Sequence, residues 1–335
     1  MLRNLSLIAA ALLAGAAFAA SDVPDAGAKS RKFLFTYTAT LKSVPENAKV
    51  VDLWIPIPQS DEFQEISNVN FSGKEHPEVA VEPEQNNSMA HLRLDAKAAK
   101  DFSVSMTVEC VRREIGVPDM SKARDLTADE KEKFAPYLKA NKLVLVGGEF
   151  STIADAATTG AKTPSEIAKS AYDYTVSTMK YDKPKDKPGW GNGSTQWACD
   201  AKFGNCTDFH ALIMSINRTK GVPVKFEIGF PLPDIDAAKP ETQAGPVGGY
   251  HCWAKCYLGG VGWVAVDASE AQKHPEKRDY FYGHLDVNRI HFTNGRDVNL
   301  VPRQKGDALN YFIYPYAEAD GKTIVVERSF AFKDL

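Results

Sequence analysis

The stretch that decides the fold is Gly204-Asn205-Cys206-Thr207-Asp208-Phe209-His210, which opens an amphipathic run that ends at Lys220. From Phe209, apolar residues recur at 212, 213 and 216, the spacing of one buried helix face. Asn205 is a favourable N-cap residue, and Asp208 stands three positions later, which approximates a capping box. The pattern therefore predicts a helix whose first turn contains Cys206.

A cysteine in that first turn has the setting of a nucleophile. Unpaired N–H groups and the positive end of the helix dipole favour an anion there, so the thiol of Cys206 should ionise below its usual value of about 8.5. Two other interpretations stay open. The side chain could be a small buried apolar group, or a zinc ligand. The spacings among the candidate ligands do not match common zinc patterns, so we predict no metal; these ligands are Cys199, Cys206, Cys252, Cys256 and His210.

A base and an orienting group follow further along the chain. His251 opens a predicted strand in Tyr250-His251-Cys252-Trp253, and Asp267 ends the next strand. A thiolate and an imidazolium oriented by a carboxylate attack amide carbonyls, with backbone N–H groups at the helix end available to the oxyanion. The alternative is that His251 is a hydrogen-bonded core residue and Asp267 a turn residue.

The triad makes a demand on the hairpin that carries His251 and Asp267. Side chains alternate along a strand, so a loop with an even number of residues would turn these two side chains to opposite faces. An odd loop places Trp253 opposite Asp267 and makes His251 and Asp267 diagonal neighbours on one face. We predict the odd register, or a bulge with the same effect. The same register is expected to place Cys252 and Cys256 on the other face, away from Cys206, in structural roles.

The beginning of the chain has the pattern of a secretory signal. Arg3 supplies the positive start, residues 5–17 the apolar middle, and Ala17-Phe18-Ala19 the cleavage site. The apolar run is shorter than the roughly 20 residues that a membrane-spanning helix needs. We expect residues 1–19 to be removed and the remaining chain to be exported to the periplasm or secreted, with no membrane span.

The composition bears on which partners the chain can bind and on the redox state of its cysteines. The formal net charge of −3 gives no indication of nucleic-acid binding. Five cysteines in an oxidising compartment leave at least one free thiol. A disulfide between Cys199 and Cys252 is plausible, but the sequence leaves the pairing open, as it does the oligomeric state.

The remaining chain is long enough for two domains at the usual scale of about 150 residues each. Residues 30–116 predict a β-rich domain of short strands, in the manner of a sandwich. Residues 117–160 read as a linker with short helices, and residues 161–335 as a catalytic domain with a C-terminal β extension. Thr127 and Thr163 each begin a capping box ahead of a helix. Residues 183–195 predict a loop, either a lid or an exposed connector.

The chain carries in order the motifs Gly204-Asn-Cys-Thr-Asp-Phe-His210, Lys220-Gly-Val-Pro-Val224, Gly249-Tyr-His-Cys-Trp253 and Gly262-Trp-Val-Ala-Val-Asp267. Together these motifs resemble the transglutaminase-like superfamily over roughly residues 160–270. That resemblance implies an α+β, papain-like core preceded by an all-β domain, with Cys206 as nucleophile, His251 as base and Asp267 as orienting carboxylate.

The remaining site residues are expected to support this triad. Asn205, Asp208, His210 and Trp253 belong to the matching motifs. No upstream residue stands at a fixed oxyanion-hole spacing, so Gln196, Trp197 and Trp190 are the candidates for that role.

The resemblance leaves the acyl acceptor open, because its members include protein cross-linkers, peptidases, amidases and proteins without catalysis. We expect hydrolysis of an amide or peptide bond in a protein or peptide substrate, with no cofactor. Transamidation is the second hypothesis. A non-catalytic binding module is the third, and the presence of all three triad residues argues against it.

Overall fold

The structure is a computed structural model, and it describes residues 29–73, 75–184 and 187–335. The predicted signal peptide, residues 1–19, lies outside the described residues. Within them, helices and mostly antiparallel sheets are mixed along the chain. This confirms the α+β class that the sequence predicts. No helix of the described part is both long and apolar enough to cross a membrane.

The helices and strands are numbered here along the chain. The helices are α1 (Ala96–Ala99), α2 (Ala128–Lys133), α3 (Ser151–Ala157), α4 (Pro164–Thr178), α5 (Thr195–Ala201), α6 (Cys206–Thr219) and α7 (Ala268–Lys273). The strands are β1 (Ser30–Thr40), β2 (Val50–Ile57), β3 (Gln64–Ser72), β4 (Glu78–Val81), β5 (Ser88–Asp95), β6 (Ser103–Arg113), β7 (Lys180–Tyr181), β8 (Phe203–Gly204), β9 (Val224–Pro231), β10 (Ala244–Pro246), β11 (His251–Leu258), β12 (Gly262–Val266), β13 (Arg289–Asn294), β14 (Tyr316–Ala319), β15 (Lys322–Ile324) and β16 (Glu327–Asp334).

Two sheets form the β-rich part of the molecule. One has the strand order β10-β16-β1-β6-β3 and the other β15-β14-β2-β5-β4. Along β1 and β6 every second side chain is buried, and Phe35 of β1 shares a core with Leu53 of β2. Sheets that each bury one face against a common core form a sandwich. The all-β character predicted for residues 30–116 is therefore present in the structure.

The end of the chain returns to these two sheets. Strand β16 pairs with β1, with Phe332 opposite Phe35, and β14 pairs with β2, with Ala317 opposite Leu53. Strands from both ends of the chain thus share the same ladders. The domain boundaries at 116 and 161 stay predictions, and the predicted C-terminal β extension is built into the first two sheets.

A third sheet, with the order β12-β11-β9-β13, carries helix α6 on one face. Residues 206–218 of this helix are all buried, because α3, α4, α5 and α7 also pack around it. The apolar face predicted from Phe209 to Ile216 lies in the core. Helix α6 is therefore a central helix, buried all round rather than on one side.

The helix starts follow the predicted capping signals. Thr127, Thr163 and Asn205 each form a full capping box, at α2, α4 and α6. Helices α5 and α7 were not predicted. Both are short and have a side-chain cap, Ser194 for α5 and Asp267 for α7. Asp267 was interpreted as the end of a strand, and its cap role places its carboxylate at the start of α7.

Candidate active site

The hairpin formed by β11 and β12 has the odd register that the sequence predicts. Ala254 lies opposite Val266 and Leu258 opposite Gly262, so the turn consists of residues 259–261. Gly260 in this turn has φ +77°, and a Cβ there would lie 2.4 Å from the carbonyl oxygen of Lys122. Only glycine fits such a position without strain. The prediction that an odd loop joins the two strands is confirmed.

That register brings His251 and Asp267 together. His251 Nε2 lies 2.7 Å from Asp267 Oδ2, and both side chains are buried. The other carboxylate oxygen accepts hydrogen bonds from Ser269 Oγ at 3.0 Å and from the Glu270 backbone N–H at 3.1 Å. Asp267 is thus held by the first turn of α7 while it faces the imidazole.

Cys206 is the first residue of α6, and its thiol is buried beside His251. The two side chains are hydrogen-bonding neighbours. Because Asp267 occupies Nε2 of His251, the nitrogen left for the thiol is Nδ1. The chain Cys206, His251, Asp267 therefore runs through both ring nitrogens of one imidazole.

The electrostatics of this chain favour an ion pair. Burial alone would raise the pKa of Cys206, but hydrogen bonds from Cys252 and His251 and the charge of His251 hold it well below its usual value. Burial alone would lower the pKa of His251, and the charge and hydrogen bond of Asp267, followed by those of Cys206, raise it to about 10. The geometry thus supports a thiolate beside an imidazolium at neutral pH.

Arg289, a residue that the sequence analysis did not single out, helps to keep Asp267 ionised. Burial would raise its pKa, but the charge and hydrogen bond of His251 and the charge of Arg289 hold the pKa well below its usual range. Arg289 Nη1 lies 3.2 Å from Asp267 Oδ2, and its Nη2 lies 3.1 Å from Asp286. Arg289 stands on β13, far from the motifs in sequence. Only the pairing of β13 with β9 brings it to the site.

Two of the predicted supporting residues shape the start of α6. Asn205 Oδ1 accepts a hydrogen bond from the Thr207 N–H at 2.9 Å. The carboxylate of Asp208 accepts from three backbone N–H groups, those of Asn205, Gly191 and Gly193, at 2.9–3.0 Å. Burial raises the pKa of Asp208 to about 6, even though those three donors lower it. These bonds tie the preceding loop to the helix turn that carries Cys206.

The other two predicted supporting residues are His210 and Trp253, and both are buried in the core. His210 is fully buried, its Nδ1–H donates to the Cys206 carbonyl oxygen at 2.7 Å, and burial lowers its pKa. Its Nε2 lies 3.9 Å from Asp267 Oδ1. Trp253 is fully buried, its indole N–H donates to Glu227 at 2.7 Å, and the Arg289 guanidinium lies 5.0 Å from the centre of its ring. Trp253 thus packs beneath the arginine that holds Asp267.

The prediction that Cys252 points away from the nucleophile is wrong. Cys252 is hydrogen-bonded to Cys206, and its Sγ lies 3.5 Å from His210 Nδ1. The face of β11 opposite His251 is the face that packs on α6. Cys206 begins that helix near the start of β11, where His251 and the following Cys252 point to opposite faces of the strand and both lie beside the thiol.

The disulfide between Cys199 and Cys252 that the sequence made plausible is absent from the structure, in which all five cysteines are free thiols. Cys199 lies on α5 and lines a cavity of about 530 Å³ together with Phe150 and Gln196. Cys252 is buried between β11 and α6. The two thiols occupy different environments on different elements, which the linear spacing did not show.

The three oxyanion candidates use their donors elsewhere. The indole N–H of Trp190 donates to the Asp182 carbonyl oxygen at 2.7 Å, and that of Trp197 to the Phe203 carbonyl oxygen at 3.0 Å. The amide of Gln196 donates to Asp200 at 2.9 Å on the exposed side of α5. Their assignment as oxyanion donors stays a prediction without geometric support.

A second cavity, of about 250 Å³, opens on the His251 side of the triad. Its lining is mostly polar and includes Glu270, Lys273, Lys277, Asp286 and Arg289. Within the described ranges, no group of three or more His, Cys, Asp or Glu side chains is placed to hold a metal ion.

Comparison with known proteins gives a family match for the part of the chain that contains α6 and the hairpin. Residues 151–268 match the family model described as the transglutaminase-like superfamily. An uncharacterized protein of Haemophilus influenzae is 26% identical over 351 aligned positions, which cover 94% of each chain.

One solved structure supports the fold. A candidate cysteine protease from Cytophaga hutchinsonii superposes with a TM-score of 0.60 at 13% identity, over 92% of this chain and 91% of that chain. The periplasmic domain of TgpA from Pseudomonas aeruginosa is also similar, with a TM-score of 0.35 at 12% identity over 73% of this chain and 90% of that domain. The expected transglutaminase-like, α+β fold is confirmed.

Proposed function

We propose that this chain, which carries a transglutaminase-like core domain, is a cysteine hydrolase that cleaves amide or peptide bonds. The observation that carries the proposal is that the buried Cys206 thiol lies beside His251, whose imidazole is hydrogen-bonded to the buried Asp267. A buried carboxylate with no partner would be costly, and this one orients the imidazole and stabilises its charged form.

The reaction follows from the roles of these groups. The Cys206 thiolate attacks the carbonyl carbon, and the C=O electron pair moves onto the oxygen. The C–N bond then breaks as His251 gives its proton to the leaving amine, which leaves an acyl group on Cys206. A water molecule loses a proton to His251 and attacks the thioester. Cleavage of the C–S bond releases a carboxylic acid and restores the thiolate with its imidazolium.

The cavity beside His251 supports water as the acyl acceptor. An acceptor has to reach the base that deprotonates it, and His251 is one of the residues that line a cavity of about 250 Å³. Its ionic lining suits water, whereas an alkyl amine would gain little from it.

The choice between hydrolysis and transamidation is tested on one substrate. We would incubate the protein with casein, which offers both glutamine and lysine side chains, and follow new peptide N-termini and isopeptide masses by mass spectrometry. Hydrolysis predicts new N-termini, or deamidated glutamine, that are absent with Cys206→Ala. Isopeptide cross-links without cleavage would favour a transglutaminase, and no Cys206-dependent product would favour a binding module.

The proposal also covers where the enzyme acts and which part of the chain does what. The signal pattern of residues 1–19 supports an exported enzyme that works in the periplasm or outside the cell. We assign the catalytic role to the part around α6 and the third sheet. The β-rich sheets, to which both ends of the described chain contribute strands, provide the scaffold.

A further inference from the structure

The proposed reaction needs hydrogen-bond donors for the oxyanion of its tetrahedral intermediate. The backbone N–H of Cys206 is one, since it lies in the first turn of α6, where N–H groups have no partner within the helix. Oxyanion sites commonly combine such a group with a side-chain donor. Trp190, Trp197 and Gln196 donate to other groups, so the second donor has to be sought elsewhere.

Tyr250 stands directly before His251, and its hydroxyl reaches the residue directly before Cys206. Asn205 Nδ2 donates to the Tyr250 hydroxyl oxygen at 3.0 Å. The orientation of this amide is fixed, because Asn205 Oδ1 accepts from the N–H and the hydroxyl of Thr207 at 2.9 and 2.6 Å. The tyrosine oxygen is therefore the acceptor in this contact, and its own proton is not used there.

The neighbouring tyrosine leaves that proton free as well. The Tyr311 hydroxyl donates to the Tyr250 oxygen at 3.3 Å, with the Gly191 carbonyl oxygen as its second acceptor at 3.4 Å. With Tyr311 as the donor in this contact, no acceptor in the described part of the chain takes the Tyr250 hydroxyl proton. Tyr250 is half-buried, and its hydroxyl lies near enough to Cys206 for the negative charge of the thiolate to act on it.

The ionisation state of Tyr250 suits a donor. Burial raises its pKa most, and the negative charge of Cys206 raises the pKa further. The hydroxyl therefore keeps its proton over the pH range in which the thiolate reacts.

Resting on the proposed hydrolase function, we propose that Tyr250 is a catalytic residue whose hydroxyl donates a hydrogen bond to the oxyanion, together with the backbone N–H of Cys206. The proton stays on the tyrosine throughout. The electron pair that moves onto the carbonyl oxygen in the attack returns when the C–N bond breaks. The tyrosine thus lowers the barrier without taking part in proton transfer.

The test separates acylation from alkylation. p-Nitrophenyl acetate acylates a reactive thiol through a tetrahedral oxyanion, and the release of p-nitrophenolate reports the rate. Iodoacetamide alkylates the same thiol without forming an oxyanion. Both rates are measured for the wild type, Tyr250→Phe and Cys206→Ala. Tyr316→Phe serves as the matched control, since it loses a hydroxyl that contacts Glu318 on β14.

The expected result is a split between the two rates. Tyr250→Phe should slow Cys206-dependent acylation by about 10²-fold, the scale of one oxyanion donor. Its alkylation rate should stay within about twofold of the wild type, a margin well below the tenfold that 1.4 kcal/mol represents. Tyr316→Phe should leave both rates unchanged.

Each other outcome overturns a different statement. Equal slowing of both reactions would make Tyr250 a structural partner of Asn205 and contradict the donor role. Unchanged acylation in Tyr250→Phe, with Cys206-dependent acylation in the wild type, would reject the donor role and leave the hydrolase proposal standing. Absence of Cys206-dependent acylation in the wild type would reject the hydrolase proposal itself.

Discussion

Asp267 accepts the hydrogen bond of His251 at 2.7 Å across a hairpin whose turn comprises residues 259–261. The length of this turn decides the contact, because one residue more or fewer would turn one of the two side chains to the other face of the sheet. Arg289 approaches the same carboxylate from β13. The charge network therefore joins the hairpin to Arg289, a residue 22 positions after Asp267 in the sequence.

Loss of Arg289 should destabilise the protein strongly. Arg289→Met leaves Asp286 without its cation and the buried Asp267 with His251 alone, and breaking a buried pair in this way costs about 3–5 kcal/mol. Denaturant unfolding measures the change. The matched control is Arg93→Met, because Arg93 is exposed and pairs with Asp52 at the surface, where such a contact contributes about 0–1 kcal/mol. Equal small losses in both variants would refute the role given to Arg289.

Gly229 should tolerate no side chain. It lies on β9 opposite both His251 and His291, and a Cβ there would come within 1.8 Å of the Ile290 carbonyl oxygen. Gly229→Ala should therefore push β13 away and cost about 1–3 kcal/mol or more.

The comparison for Gly229→Ala is Gly248→Ala, where a Cβ meets nothing within 4 Å and the change should stay within about 1 kcal/mol. The thermal midpoints of the two variants measure the difference. A Gly229→Ala protein as stable as the wild type would show that β13 is not packed as described.

The protein purified without reductant should contain five reactive thiols once it is unfolded. Burial raises the pKa of Cys110 and Cys256 to about 12. Buried, protonated thiols resist oxidation, so these two should stay reduced in the oxidising compartment that the signal pattern predicts. Titration with a disulfide reagent in denaturant checks the number. A count of three would reveal a disulfide and contradict the five free thiols of the structure.

Cys252 should tune the nucleophile. Its hydrogen bond to the Cys206 sulfur helps to lower the pKa of that thiol, so Cys252→Ala should raise this pKa and move the acidic limb of the alkylation profile to higher pH. Cys256→Ala is the matched control, since Cys256 is a buried thiol four residues along the same strand. Identical shifts in the two variants, or no shift in either, would exclude this role.

Local signals accounted for most of the fold around the site. The capping box of Asn205 and Asp208, the apolar spacing from Phe209 and the glycines of the turn predicted α6 and the hairpin, because each depends on residues close in sequence. The β-rich character of residues 30–116 followed from alternation. The pairing of β16 with β1 could not be predicted, because strand partners some 300 residues apart leave no local pattern.

The site residues also divide into those that have a local sequence signal and those that have none. Cys206, His251 and Asp267 could be proposed because helix start, strand start and strand end each have a local signature. Arg289 has none, since its role depends on which strand lies beside β9. Cys252 was misplaced because alternation on β11 was considered without the helix packed on its other face. Tyr250 was read as part of a motif, and its free hydroxyl proton emerges only from the contacts of Asn205 and Tyr311.

The central claim is that Cys206 is a thiolate paired with His251, and the pH dependence of its alkylation by iodoacetamide tests this most directly. We predict rapid labelling, located at Cys206 by mass spectrometry, that is already near its plateau at neutral pH. The lowered pKa of Cys206 places the loss of labelling in the acidic range. The labelling rate should change again near pH 10, because the His251 imidazolium, whose pKa is about 10, loses its proton there. A single slow rise centred near the free-thiol value of about 8.5 would contradict the account.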